Sequence, residues 1–294
     1  MAGNRPAAEV DVDVELVRSV LGNQHPDLAE LPLRVVASGW DDVVLRVGDD
    51  LAVRAPRCPA AAALVVHEQT WLPLLAPRLP LPIPAPVRVG APAAGYPWAW
   101  SVVPWFEGAI AAEVTLHDAA AEARRLGGFL SALHEPAPDG APANPFRGGP
   151  IADHVAVDRE RAAVVDDGDR LLRRLRELVD VEPWTGPPVW LHGDCHTANL
   201  LVDGRLGAVI DFGDVCAGDP ATDLAVAWMC FDPVARDELR ATAGPGGGVV
   251  DDATWQRAEA WAVHVALAYR ANSADDPTIG GIGRRLADEV LRIG

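Results

Sequence analysis

The sequence predicts an α+β chain in two lobes, a small antiparallel sheet with one helix followed by a larger, mostly helical lobe. Three observations carry that expectation. Leu33–Ala37, Val43–Val47 and Leu51–Val53 are short apolar runs separated by Ser38-Gly39-Trp40-Asp41-Asp42 and Gly48-Asp49-Asp50, the signature of a tight meander. Beyond Ala109, long stretches carry apolar residues at helical steps. Between these regions Ala76–Pro86 is proline-dense and extended, a stiff connector rather than a domain linker. With 294 residues, 49% of them hydrophobic, the chain can bury a large core. The expected division is residues 1–103, a hinge at 104–108, and residues 109–294.

In chain order, Val14, Val17 and Leu21 share one face of a helix over Val12–Leu21, with Gly22 and Pro26 expected to end it. The meander closes on Leu51-Ala52-Val53-Arg54. Ala60–Leu75 has helical length behind Pro59; Leu64, Glu68 and Leu72 fall at four-residue steps, and Glu68 is its only acid. Val87–Val89 and Trp98–Val103 read as two more strands. Thr115-Leu116-His117-Asp118 has the form of a capping box, and Leu126, Phe129, Leu130 and Leu133 line the helix it opens. Pro136–Pro150 reads as a loop. Val155–Val179 reads as one long charged helical region, buried along Leu171, Leu172, Leu175, Leu178 and Val179, and broken at Pro183–Pro188. Leu224–Cys230 is too apolar to be exposed, and Ala241–Gly248 reads as a flexible loop. Trp255, Ala258, Ala262, Val265 and Tyr269 lie along one side of a helix over Thr254–Tyr269. Leu286, Val290 and Ile293 repeat that pattern in the last helix.

The chemistry concentrates in Val189–Leu224. Val189–Leu191 is an apolar run that stops at His192-Gly193-Asp194, and Asn199 follows Asp194. Leu200–Val202 and Ala208–Ile210 form a hairpin about Asp203-Gly204 and deliver Asp211-Phe212-Gly213. Protein kinases use H-R-D-x-x-x-x-N and then D-F-G: the first Asp takes the substrate hydroxyl proton, and the Asn and second Asp hold magnesium. The Asp-to-Asn spacing and the order match here. Phosphoryl transfer asks the protein mainly to aim a hydroxyl and neutralise phosphate charge, for which hard oxygen ligands to Mg²⁺ suit.

His192, Gly193, Asp194 and Asn199, then Ile210-Asp211-Phe212 and Gly218-Asp219-Pro220 with Asp223-Leu224-Ala225, resemble the aminoglycoside phosphotransferase family, antibiotic and metabolite kinases with a protein-kinase-like fold. The resemblance implies a bilobal protein-kinase-like fold, with a nucleotide-binding first lobe and a catalytic, acceptor-binding second lobe. It makes Asp194 the catalytic Asp and Asn199 and Asp211 the ligands of Mg²⁺, with His192, Asp219 and Asp223 as structural support. Cys195 departs from the apolar residues usual beside this Asp. Ser38 and Gly39 fall where a phosphate-covering loop belongs, although no glycine-rich motif is present. Since the chain has no Lys, Arg54 takes the place of the phosphate-clamping strand cation, and Glu68 is its expected partner. Adenine is expected at the hinge, against backbone near Val103 and Trp105. The co-substrate is ATP or GTP.

The leading expectation is therefore an O-phosphotransferase acting on a small-molecule alcohol, first an aminoglycoside. Asp232 and Glu259 are the acids expected to meet its ammonium groups. A macrolide or metabolite kinase, or a nucleotide-binding sensor without turnover, are the alternatives. A hydrolytic zinc or manganese site from His192, Asp194 and His196 is a further reading. The net charge of −17 disfavours nucleic acid and anionic membrane and is compatible with a cationic acceptor. No apolar run reaches the roughly 18 residues of a span, and the N-terminus lacks a signal-peptide core. Four scattered cysteines without C-x-x-C fit a reducing, cytoplasmic setting.

Overall fold

A computed structural model describes residues 8–39, 41–93 and 95–292 of the chain. Trp40 of the expected first turn, Ile293 of the last apolar stripe and the first seven residues lie outside the described residues. The chain forms two compact units. One comprises Met1–Pro77, Pro82–Glu107 and Asp211–Gly213; the other comprises Arg78–Leu81, Gly108–Ile210 and Asp214–Gly294.

The first unit opens with helices α1 (Val14–Gln24) and α2 (Pro26–Ala29) and the strands β1 (Leu33–Ser38), β2 (Asp42–Val47) and β3 (Leu51–Pro56). Helix α3 (Pro59–Leu75) and strands β4 (Arg88–Gly90) and β5 (Trp100–Pro104) complete it. The sheet is wholly antiparallel in the order β1-β2-β3-β5-β4. Alternation along each strand sorts its side chains. Val43, Leu45, Val47, Val53, Ala55, Trp100 and Val102 gather with Val17, Val20 and Leu21 of α1 into one buried cluster. Arg54 falls on the opposite face from Val53 and Ala55. Helix α1 differs from expectation at its end: it runs through Gly22 to Gln24, because the His25 N–H caps it on the Leu21 carbonyl.

The second unit holds β6 (Ala109–Ile110), α4 (Ala119–Leu133), α5 (Val155–Ala162), α6 (Gly168–Leu178), β7 (Val189–Leu191), β8 (Leu200–Asp203), β9 (Arg205–Val209) and β10 (Cys216–Gly218). Helices α7 (Ala221–Leu224), α8 (Val226–Cys230), α9 (Pro233–Thr242), α10 (Asp252–Asn272) and α11 (Pro277–Arg292) follow. Leu126, Phe129, Leu130 and Leu133 are fully buried on α4. Its cap is Asp118, whose carboxylate accepts from the Ala121 N–H at 3.0 Å; the helix starts one turn after Thr115. The long charged region is two helices, α5 and α6, separated at Ala163–Asp167. Helix α10 is buried on more than one side, through Arg257, Trp261 and His264 as well as Ala258 and Ala262, because α5, α6, α7 and α11 all pack on it. The glycine-rich stretch after α9 is tied down: the Ser131 hydroxyl donates to the Gly244 carbonyl and accepts from the Gly247 N–H. Among the described residues no helix is long and apolar enough to cross a membrane.

Fold and sequence agree on architecture: a small antiparallel sheet with one long helix on its Arg54 face, then a mostly helical unit. Strand β7 pairs with β10, while β8 pairs with β6 and β9, so Asp194 and Asn199 do not extend from adjacent strands.

Candidate functional site

In the first unit the site is built around Arg54. Its Nη1 donates to Glu68 Oε1 at 2.6 Å, its Nε to Asp42 Oδ2 at 3.0 Å, and its Nη2 to Asp211 Oδ1 at 3.1 Å. The pairing with Glu68 follows the sequence expectation. Asp42 was not foreseen, yet strand register could have found it. Val44 lies opposite Arg54, and Asp42, two residues earlier, points to the same face as its diagonal neighbour. Three carboxylates surround one guanidinium. Burial pushes the Glu68 carboxyl up to about 8 against the pull of Arg54, and Asp42 and Asp211 add to the rise.

Asp211 has φ 64°, the left-handed region, and is the only such non-glycine residue among those described. A side chain held there stores backbone strain of about 1–3 kcal/mol, as functional sites often do. Its side chain is 56% exposed, and Phe212 beside it is fully buried, an anchor for the turn.

Other nucleotide-site expectations in this unit fare less well. The Gly39 N–H donates to the Asp42 carbonyl at 2.8 Å, closing its own turn, and so is not offered to a phosphate as expected. Val103 is buried within the sheet opposite Ala52. The Trp105 N–H donates to the Asp50 carbonyl at 2.7 Å, and Arg46 stacks on its ring with 4.9 Å to the centroid. The Trp105 N–H is thus engaged within the unit. Ser38 ends β1 at the mouth of that first turn.

In the second unit the loop after β7 is fixed by Asp223. This fully buried carboxylate accepts from the His192 N–H at 2.8 Å, the Gly193 N–H at 2.9 Å and His134 Nε2 at 3.1 Å. Burial would raise its pKa, but the His134 bond, His192 and the Gly193 N–H hold it below the usual carboxylate range. Gly193 has φ 85°, and a Cβ there would lie 2.2 Å from the Asp214 carbonyl oxygen. That close approach explains a glycine where protein kinases carry Arg. His192 donates from Nε2 to the Ile210 carbonyl at 2.9 Å and accepts from the Asp194 N–H at Nδ1, 3.2 Å. Both ring nitrogens are thus used. Among the described residues no group of three His, Cys, Asp or Glu is arranged to hold a metal, so the zinc reading loses its ligands.

The Asp194 carboxylate is the focus of this loop. His196 Nε2 lies 3.2 Å from Oδ2, while Arg147 Nη2 and the Tyr269 hydroxyl donate to Oδ1 at 3.3 and 3.4 Å. Because His196 Nδ1 accepts from the Ala198 N–H, its Nε2 carries the proton and donates to Asp194. Burial alone would raise the Asp194 pKa; His196, Arg147 and His192 hold it well below the ordinary value. The Asn199 amide nitrogen donates to the Asp194 carbonyl at 3.0 Å, which leaves its Oδ1 as the atom able to face a cation. Asn199 Oδ1 and the Asp211 carboxylate are both hard oxygen donors of the kind Mg²⁺ takes. Cys195 is buried, and burial first, then Asp223, Cys230 and Asp194, push its thiol well up, so it is no nucleophile.

Asp219 forms a two-pronged pair with Arg257, at 2.6 and 3.3 Å, and accepts from the Ala221 N–H. The two acids expected to meet an acceptor are both spent on structure. Asp232 caps α9 by accepting from the Ala235 N–H at 2.9 Å, and Glu259 is ion-paired with Arg174. The sequence also missed Arg147 and Tyr269. Arg147 lies in a loop without a motif, and its arrival depends on a contact between distant glycines. A Cβ on Gly218 would lie 2.5 Å from Gly148 Cα. The Gly148 N–H donates to the Thr222 hydroxyl, and the Asp219 N–H to the Gly148 carbonyl.

The family model described as the phosphotransferase enzyme family matches residues 32–261. Among solved structures, the chain is similar to the GDP complex of aminoglycoside 2'-phosphotransferase-IIIa, with 19% identity and a TM-score of 0.74, covering 96% of this chain and 100% of that one. It is similar to macrolide 2'-phosphotransferase MphH from Brachybacterium faecium, with 21% identity, a TM-score of 0.63 and coverage of 93% and 97%. A macrolide 2'-phosphotransferase type I gives 22% identity, a TM-score of 0.64 and coverage of 98% and 99%. These likenesses show the bilobal kinase-like fold. No curated protein matches the chain. The chain belongs to the phosphotransferase enzyme family and is a small-molecule kinase that acts on a hydroxyl group.

Proposed function

We propose that the chain transfers the terminal phosphoryl group of ATP or GTP to a hydroxyl of an antibiotic-like small molecule. Asp194 aims that hydroxyl and takes its proton; His196 and Tyr269 fix the carboxylate by donating to it, and Asp223 fixes the loop that carries it. Arg54, braced by Glu68 and Asp42, steadies the nucleotide phosphates. Asn199 and Asp211 are the residues to hold Mg²⁺, which neutralises phosphate charge when bound. Their joint assignment rests on motif order and on the oxygen each presents. The observation that carries the reading is the Asp194–Asn199 arrangement, a loop carboxylate with an amide tied to its own backbone.

Two acceptor classes stay in view. The likeness to an aminoglycoside 2'-phosphotransferase supports the aminoglycoside reading. The engagement of Asp232 and Glu259 within the protein favours an acceptor less dependent on ammonium pairing, a macrolide or another oxygen-rich alcohol. The test is release of nucleoside diphosphate from Mg·ATP and Mg·GTP across aminoglycosides, macrolides and simple alcohols, with the phosphate ester detected by ³¹P NMR. Ester formation with one class supports the proposal. Intact nucleotide binding with no ester from any class would replace it with the sensor reading.

A further inference from the structure

The second unit holds a cavity that the phosphoryl-transfer chemistry does not use. We propose that it is a binding site for a neutral, planar aromatic molecule, separate from the Asp194 site. The cavity measures about 540 Å³, within the roughly 300–1,000 Å³ of ligand pockets. Trp184, Gly149, Pro150 and the Arg257–Asp219 pair line it, whereas Asp194, Asn199 and Tyr269 do not. No step of the proposed reaction uses these walls, so the site stands whether or not that reaction does.

The sequence sets the walls rigidly. Pro183, Pro187 and Pro188 bracket Trp184, and proline fixes its own φ. The Trp184 indole Nε1 donates to the Pro187 carbonyl at 3.1 Å, and the Arg257 guanidinium lies over the ring, 5.7 Å from its centroid. Gly186 lies against the same ring, since a Cβ there would fall 2.4 Å from an indole carbon. Gly148 is held by its close approach to Gly218 and by its N–H on the Thr222 hydroxyl. A pocket formed in advance loses little freedom when a molecule enters.

Charge selects against ions. Arg257 donates from Nε and Nη2 to Asp219, from Nη2 to the Thr254 hydroxyl at 2.9 Å and from Nη1 to the Glu182 carbonyl at 2.8 Å. The two side chains are only 5% and 6% exposed, and their charges cancel. An ion entering here would attract one member of the pair, repel the other and give up its own hydration. The backbone of the walls is also short of free polar groups. Pro150, Pro183 and Pro188 have no N–H, the Pro188 carbonyl accepts from the Ala137 N–H, and the Gly148 carbonyl accepts from the Asp219 N–H.

Shape selects for a ring. The indole and the bare Gly148-Gly149 backbone are flat, and Val179, Val181 and Ile151 add aliphatic surface. A planar aromatic molecule buries area against such walls with few rotors to fix, and it can pair with the indole.

Calorimetry on the full chain without nucleotide, at about pH 7, tests this with 2-naphthol, 2-naphthoate and 2-naphthylmethylammonium. These carry one ring system in neutral, anionic and cationic form. Wild type is expected to bind 2-naphthol saturably at one site, and each ion about tenfold more weakly or worse. Gly149→Leu is designed to fill the cavity, and a Cβ at that position meets no atom within 4 Å. That variant and Trp184→Leu should each weaken 2-naphthol binding by about tenfold or more. Circular dichroism shows which variants are folded, and where one fails to fold the other decides. No saturable binding by wild type, equal affinity for the three probes, or undiminished binding by a folded variant would overturn the proposal.

Discussion

The Arg54 cluster and the Asp194 cluster solve opposite problems. In the first, one cation meets three carboxyl groups, of which Glu68 and Asp42 are buried, their pKa values pushed up by that burial, while Asp211 is exposed. In the second, one carboxylate meets the Arg147 guanidinium and two further donors, His196 and the Tyr269 hydroxyl. The Glu68 side chain is 2% exposed, whereas those of Asp194 and Arg147 are 30% and 23% exposed. Removing the central group from the first cluster strands buried charge. Removing a partner from the second leaves groups that water reaches. The first cluster therefore couples its proposed phosphate role to the fold, whereas the second can change without unfolding the protein.

The largest effect expected on stability follows directly. Arg54→Met leaves Glu68 and Asp42 buried without their cation and should cost about 3–5 kcal/mol in urea unfolding, together with nucleotide affinity. Arg147→Met removes a partly exposed pair and should cost less than about 1 kcal/mol. Similar costs for both would break the comparison.

A smaller effect sharpens it at Asp223. Asp223→Asn puts an amide donor against N–H groups and should cost about 2–4 kcal/mol. The wild-type carboxyl has a folded pKa below its unfolded value of about 3.9. Its contribution is therefore full above about pH 4 and is lost as pH falls through the lower folded value. Acid titration of unfolding should show this limb in wild type and lack it in the variant. At Asp232 the effect is confined to stability: replacing it with Ala should cost about 1 kcal/mol for the lost helix cap and leave acceptor KM unchanged. A large rise in KM would return Asp232 to the acceptor site.

How much was legible in the sequence follows the same division. Arg54, Glu68, Asp194, Asn199 and Asp211 sit at fixed spacings within single strands, helices and loops, and such local patterns survive in one dimension. The Arg54–Glu68 bond was foreseen from the kinase resemblance, Glu68 being the only acid on its helix. Asp42 needed strand register, which turn lengths set and the apolar pattern only hints at. Arg147 needed the meeting of Gly148 and Gly218, seventy residues apart, and no local signal encodes that. Asp232 and Glu259 misled because an acid on a helix reads alike whether it caps, pairs or binds. The Gly39 and Trp105 N–H groups are engaged by the Asp42 and Asp50 carbonyls, pairings that no local pattern signals.

The most direct test of the central assignment is Asp194→Asn. The substitution keeps the size and much of the hydrogen bonding of the side chain and removes its ability to take a proton. Phosphate ester formation, measured with Mg²⁺ and an accepted alcohol, should fall by about 10³-fold or more, with nucleotide affinity within about threefold of wild type. Wild-type rates in that variant would remove Asp194 from the reaction and with it the mechanism proposed for this chain.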